Sequence, residues 1–139
     1  MKKALAVVAA VFLFMLCGCR PSSDMNRVSI DYGQSQMYSQ KDMDAAISVI
    51  KKEFSSWDGC VLHSIAFTSD SVCADNVEYC NSLREGAGFD ECIVFESSFH
   101  SPRYAGGGGF TPDQEYRGWS WYLARKDNGA WQLLTWGYA

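Results

Sequence analysis

The longest regular pattern in the chain runs from about Gln40 to Ser56. Met43, Ala46, Ile47, Ile50 and Phe54, continued by Trp57, fall there on one stripe at helical spacing. Lys41, Asp44, Lys51 and Lys52 lie off the stripe, so the pattern predicts an amphipathic helix that turns its apolar side to a core. Ser39 is a favourable N-cap, Asp42 stands three positions on as its capping-box partner, and Tyr38 faces Met43 as a hydrophobic staple. Gly59 ends the helix. Without a basic face it does not read as a membrane-surface helix.

From Cys60 to Thr68 the period changes to that of a strand, with Val61, His63, Ile65 and Phe67 predicted on one face. In that setting His63 reads as a partly buried structural imidazole. Ser69-Asp70-Ser71 breaks the strand, and Cys73 to about Glu85 reads as a weaker helix closed by Gly86-Ala87-Gly88. Cys92-Ile93-Val94-Phe95 opens a further strand that extends toward His100. Ser101 to Glu115, with Pro102, Gly106 to Gly109 and Pro112, reads as a loop. Upstream, Val28, Ile30 and Tyr32 alternate, as in a short edge strand or a docked extended segment.

The C-terminus carries the strongest turn signal. Asn128-Gly129 is a preferred type I′ pair. A two-residue loop there sets Leu123 opposite Leu134, Trp121 opposite Trp136 and Trp119 opposite Tyr138, all on one face that is too apolar to be wet. Tyr122, Ala124 and Lys126, with Thr135, Leu133 and Trp131, take the other face.

Together these elements predict an α+β domain. Its curved, mainly antiparallel sheet of about four strands packs on one long N-terminal helix, with a second short helix. The order helix, strand, helix, three strands resembles the cystatin-like and nuclear-transport-factor-two-like cone folds. A βαβ crossover between the strands at Cys60–Thr68 and Cys92–His100 would make that pair parallel, and the sequence leaves this open.

The N-terminus changes the picture from a domain to an address. Lys2 and Lys3 precede an uncharged apolar run from Ala4 to Leu16, which forms the n-region and h-region of a secretory signal. The run is short of the roughly 20 apolar residues of a spanning helix. It stops at Leu16-Cys17-Gly18-Cys19, which resembles the bacterial lipobox. The resemblance implies cleavage after Gly18, lipid on Cys19 and attachment to the outer, extracytoplasmic face of the cell membrane. The chain then divides into a signal over residues 1–18, a lipidated tether over 19–27 and one globular domain over 28–139.

The full chain has 12 Lys and Arg against 16 Asp and Glu, and loss of Lys2 and Lys3 with the signal leaves a net charge of −6. Nucleic acid as a partner loses its electrostatic driving force at that charge. Four cysteines remain for the domain: Cys60, Cys73, Cys80 and Cys92. An even number in an exported chain favours disulfides over metal ligation. Three pairings are possible. Cys60–Cys73 would require the chain to double back too soon, and Cys73 with Cys80 lies about 10 Å apart along a single helix unless Cys73 precedes the helix, so Cys73–Cys92 is preferred, with room for free thiols.

The string Trp119-Ser120-Trp121-Tyr122-Leu123-Ala124-Arg125 and the run from Asn128 to Tyr138 resemble the ending of a group of small bacterial lipoproteins that have no assigned activity. The likeness extends to Trp57-Asp58-Gly59-Cys60 and Phe99-His100-Ser101-Pro102, and implies only the lipoprotein address.

Chemistry is sparse. There is no Gly-x-Ser-x-Gly elbow, no ligand-spaced histidine pair for a metal, and no P-loop in the Gly106–Gly109 run, so no cofactor is indicated. His100 stands where a strand meets a glycine-rich loop. Glu96 lies four residues earlier on the same strand face, and Asp113 or Glu115 can return nearby, so a His–carboxylate pair is conceivable, with His63 as a further candidate. Tyr104, Phe110, Tyr122 and Trp131 form the other candidate set, since exposed aromatics stack on sugars or anchor peptides and proteins. The reading that follows is a non-catalytic surface binding or interaction domain with a glycan, peptide or protein partner. The alternative is a small cone-fold enzyme that uses the His–carboxylate pair in a sheet pocket.

Overall fold

A computed structural model describes residues 22–104 and 109–138. The signal, the lipobox with Cys19 and the centre of the glycine run lie outside the described residues. Among the described residues the fold is α+β, with a curved five-stranded mixed sheet and three helices. The elements are β1 (Ser29–Asp31), α1 (Gln40–Phe54), β2 (Val61–Phe67), α2 (Asp70–Asp75), α3 (Val77–Leu83), β3 (Glu91–His100), β4 (Glu115–Arg125) and β5 (Gln132–Gly137), and the strands lie in sequence order across the sheet.

Helix α1 forms for the reasons legible in its sequence. The Ser39 hydroxyl accepts the Asp42 amide at 3.1 Å, and the Asp42 carboxylate accepts the Ser39 amide at 3.0 Å. Such a cap contributes about 1 kcal/mol. The stripe of Met43, Ala46, Ile47, Ile50 and Phe54 is fully buried. It packs on the sheet face that carries Ile93, Phe95 and Phe99 of β3 with Trp121 and Leu123 of β4. Trp57, just past the helix, stacks on Trp121 at 5.1 Å between ring centroids and meets Phe99 and Phe110 edge-on or tilted. Trp121 buries its indole N–H against the Ser97 hydroxyl at 2.8 Å, which satisfies the donor inside the core.

The sheet departs from the predicted four strands because Ser29–Asp31 is a true strand, paired parallel to β2 with α1 as the crossover. The β2–β3 pair is antiparallel, although two helices intervene. The βαβ unit therefore sits one step earlier in the chain than the open question placed it. Asp24 also docks: its amide bonds to the Cys60 carbonyl and its carbonyl accepts the Leu62 amide, each at 2.9 Å. The segment read as tether is thus fixed to the sheet from Asp24 onward.

The weaker helix is two helices. It starts earlier than predicted, at Asp70, because Ser69 caps it through a bond from the Val72 amide. It breaks at Asn76, whose φ of −105° and ψ of 4° leave the helical region while its side-chain amide donates to the Val72 carbonyl. Both helices lie on the face opposite α1 and cover Cys92 and Val94 but not the rest of that face.

Two further departures come from single extra residues. In β2, Leu62 pairs with Phe99 while Ser64 pairs with Ser98, so His63 is a bulge. Leu62, Ile65 and Phe67 go inward, and His63 is exposed rather than partly buried among apolar neighbours. In the terminal hairpin the residues with positive φ are Asp127 and Asn128, and the Gly129 amide bonds to the Lys126 carbonyl at 2.9 Å. The type I′ turn is thus centred one residue earlier than Asn128-Gly129. A shift between Tyr122 and Leu123 restores Trp121 opposite Trp136 but sets Leu123 opposite Leu133. Trp131, predicted on the open face, instead points at α1. It is 6% exposed, and its indole N–H donates to the Asp42 carbonyl at 3.1 Å. Trp136 and Tyr138, predicted inside, remain substantially exposed at the edge strand.

Candidate functional site: the open half of the outer sheet face

The face opposite α1 has two ends. At one end β2 begins, β3 finishes and β4 begins, so the pairings of Val61 with His100 and of His100 with Glu115 bring their side chains together. His100 holds Asp113 Oδ1 at 2.8 Å through Nε2 and Glu115 Oε2 at 3.2 Å through Nδ1. The bulge turns His63 to the same Glu115 oxygen, with Nε2 at 3.3 Å. The result is a surface row, His63, Glu115, His100, Asp113. The hydrogen bond to Asp113, aided by Glu115, raises the His100 pKa above its ordinary value and outweighs desolvation. The same bond holds the Asp113 carboxyl below the usual carboxylate range.

Chemically this row favours a fixed imidazolium. Both ring nitrogens face carboxylates, so neither is a free base for a substrate proton while the row is intact. Because the two nitrogens point to opposite sides, the row does not converge on a point, and among the described residues no three or more His, Cys, Asp or Glu side chains are arranged so that they could hold a metal ion. Beside it lies a shallow surface formed by Gly59, Pro102, Arg103 and Tyr104, the last 54% exposed.

Toward the other end, α2 and α3 stop short of covering the sheet. Phe67, Thr68, Ser69, Val72, Asn76, Val94, Glu96, Ser120 and Tyr122 line a groove of about 580 Å³. A neighbouring cleft shares Asn76 and Tyr122 and adds Tyr79 and Thr135. Across the groove the outward Glu96 pairs with the small Ser120, and α2 does not extend over them. Its aromatic wall is Tyr122, which meets Tyr79 of α3 edge-on at 5.3 Å. Burial raises the Tyr122 pKa, so its hydroxyl stays a neutral donor and acceptor. The Glu96 carboxylate is exposed on the groove floor and has no hydrogen-bond partner among the described residues.

The predicted site residues are therefore divided. His100 and His63 meet at the sheet end, with Asp113 and Glu115. Glu96 shares their face, but four strand residues, about 13 Å, separate it from His100, and it belongs to the groove with Tyr122. Tyr104 is exposed beside the histidine row. Phe110 is not a free surface ring, since it packs against Trp57, Phe99 and Trp119. Trp131 is in the core, and the four cysteines are buried thiols. Thr68, Ser69, Asn76 and Ser120 were missed. They come from the β2–α2 connection, the break between α2 and α3, and β4, and no spacing in the sequence joins them.

No family model, no curated protein and no solved structure matches this chain.

Proposed function

We propose that this chain is a lipid-anchored, extracytoplasmic binding domain that holds a glycan in the groove between α2 and the outer sheet face, without transforming it. One observation carries the reading: the groove is lined by a carboxylate, an amide and several hydroxyls beside a tyrosine ring. Sugars are recognised by such combinations, with hydroxyls bonded to planar polar groups and the pyranose face laid on an aromatic ring. The mature chain is acidic, which disfavours polyanionic partners.

The anchor reading rests on the lipobox-like Leu16-Cys17-Gly18-Cys19. It agrees with the early docking of the chain. Asp24 is five residues beyond Cys19, a span of at most about 18 Å, so an anchor on Cys19 would keep the histidine end of the sheet, where Asp24 docks, within that reach of the membrane.

The test uses the full chain purified in detergent and a panel of neutral and acidic oligosaccharides, with short peptides as the control class. A glycan should raise the thermal midpoint in proportion to its occupancy. Glu96→Gln should abolish that rise, and His100→Gln should leave it intact. A response only to peptides, or one lost with His100→Gln alone, defeats the reading. Mass spectrometry of the membrane fraction tests the anchor separately: Cys19 should carry a diacylglyceryl group, and Cys19→Ala should release the protein.

A second reading, a small enzyme, is favoured by His100 standing between two carboxylates. It requires the row to open on substrate binding so that Nε2 is freed from Asp113. Turnover of any substrate that His100→Gln abolishes and Glu96→Gln spares would establish it.

A further inference from the structure

Three of the four domain cysteines gather beneath the two short helices. Cys73 of α2, Cys80 of α3 and Cys92 of β3 are all fully buried. The Cys73 sulfur accepts the Val94 amide at 3.4 Å. The Sγ atoms of Cys80 and Cys92 stand 3.0 Å apart, with each thiol able to donate to the other. A disulfide bond is about 2.05 Å long, so covalent linkage requires only about 1 Å of closure.

We propose that Cys80 and Cys92 form a disulfide that staples α3 to β3, beside the helix α2 that walls the groove. The topology selects this pair over the predicted Cys73–Cys92. After α2 the chain runs through α3 and turns back directly into β3, so the later helix lies over the first residues of that strand. Cys92 therefore meets Cys80, while Val94, two residues on, meets Cys73. Cys60 lies at the far end of β2, where its backbone bonds to Trp57 and Asp24.

The chemistry is two-electron thiol–disulfide exchange with a low-molecular-weight or protein disulfide as oxidant. With α3 open the two thiols are no longer hydrogen-bonded to each other, and either can lead. Where Cys80 leads, its thiolate attacks one sulfur of the oxidant and expels a thiolate. The Cys92 thiolate then attacks the Cys80 sulfur, forms the internal bond and expels the second thiolate. The two thiol protons pass through solvent to the two expelled thiolates, so the oxidant is reduced to two thiols. Both sulfurs are buried, so exchange takes place while α3 is open, during folding or local unfolding, and the finished bond is shielded.

The test equilibrates the purified full chain in oxidised and reduced glutathione, quenches it in acid and alkylates it under denaturing conditions without reductant. Digestion with trypsin and an Asp-specific protease separates all four cysteines, since Cys73 then lies in residues 70–74, Cys80 in 75–84 and Cys92 in 90–103. The expected product is a cross-link of the last two peptides, lighter by two hydrogens than their sum, with Cys60 and Cys73 alkylated. In Cys80→Ala, Cys92 should become fully alkylated. Full alkylation of Cys80 and Cys92 in the unmodified chain overturns the proposal, as does a Cys73–Cys92 cross-link. Neither result depends on whether the protein is exported or lipidated.

Discussion

Arg125 lays its guanidinium over the Trp131 ring, 4.2 Å from the centroid, while its Nε reaches Glu91 at 2.5 Å and its Nη1 reaches Asp42 at 3.2 Å. One side chain thus joins β4 to the N-terminal turn of α1, to the edge of β3 and to the residue that the shifted hairpin turn drives inward. Burial opposes the charge, but the bonds to Glu91 and Asp42 outweigh it and raise the Arg125 pKa further.

Replacing Arg125 with alanine should therefore cost about 2–3 kcal/mol of folding stability, below the full cost of breaking a buried pair because both carboxylates reach water. Arg125→Lys should recover less than half of that, since an ammonium cannot serve two carboxylates and an indole face at once. Urea denaturation followed by tryptophan fluorescence measures both. A loss within about 0.5 kcal/mol would place the pairs with ordinary surface ion pairs.

The histidine row should make stability fall as pH rises through neutrality. The His100 pKa is raised in the folded state, so its contribution is complete below the unfolded value of about 6.5 and is lost as pH climbs through the higher folded value. Asp113 behaves oppositely: its pKa is lowered, so its contribution is present above the unfolded carboxylate value and is lost as pH falls through the folded one. The wild-type thermal midpoint should therefore decline more between neutral and mildly alkaline pH than that of His100→Gln. Proton NMR of the imidazole should give a His100 midpoint above about 6.5, and a midpoint at or below it would refute the row as drawn.

Gly59 is held at φ +76°, and a Cβ there would stand 2.8 Å from Pro102 Cβ and 3.3 Å from the Tyr104 hydroxyl. Gly59→Ala should destabilise the chain by about 1–3 kcal/mol, combining left-handed strain with displacement of the loop from Ser101 to Tyr104. Differential scanning calorimetry reads the loss. Increased mobility of Tyr104, seen by hydrogen exchange around it, should accompany it.

At the hairpin the first central position is Asp127 with φ +52°. Asp127→Ala should destabilise by about 1 kcal/mol, because alanine lacks the short polar side chain that lets aspartate take the left-handed conformation. Had the turn been centred on Asn128-Gly129, position 127 would be an extended strand residue and the same substitution close to neutral, so chemical denaturation of this variant distinguishes the two registers.

The candidate site was legible only in pieces. Glu96, Tyr122, His63 and His100 were all recognised as chemical side chains, but the sequence joined Glu96 to His100. Four residues along a strand preserve the face while separating the groups by about 13 Å. The pairing that matters for His100 is lateral, to Glu115 of the next strand, and lateral neighbours are set by register. The groove was not legible because emptiness has no residue type: it arises beside the small Ser120, where two short helices end early.

What the amino-acid sequence by itself determined is the local physics: the capped amphipathic helix α1, the strand from Glu91 to His100, the existence of the terminal hairpin and the α+β class. Each follows from periodicity and caps that act within a few residues. Tertiary structure alone decided the fifth strand, the bulge that exposes His63, the inward turn of Trp131 and the meeting of Cys80 with Cys92. Each of these depends on one extra residue in a strand or on the direction in which a connection returns. A one-residue change in register exchanges the two faces of a strand, and only packing against the rest of the core selects between them.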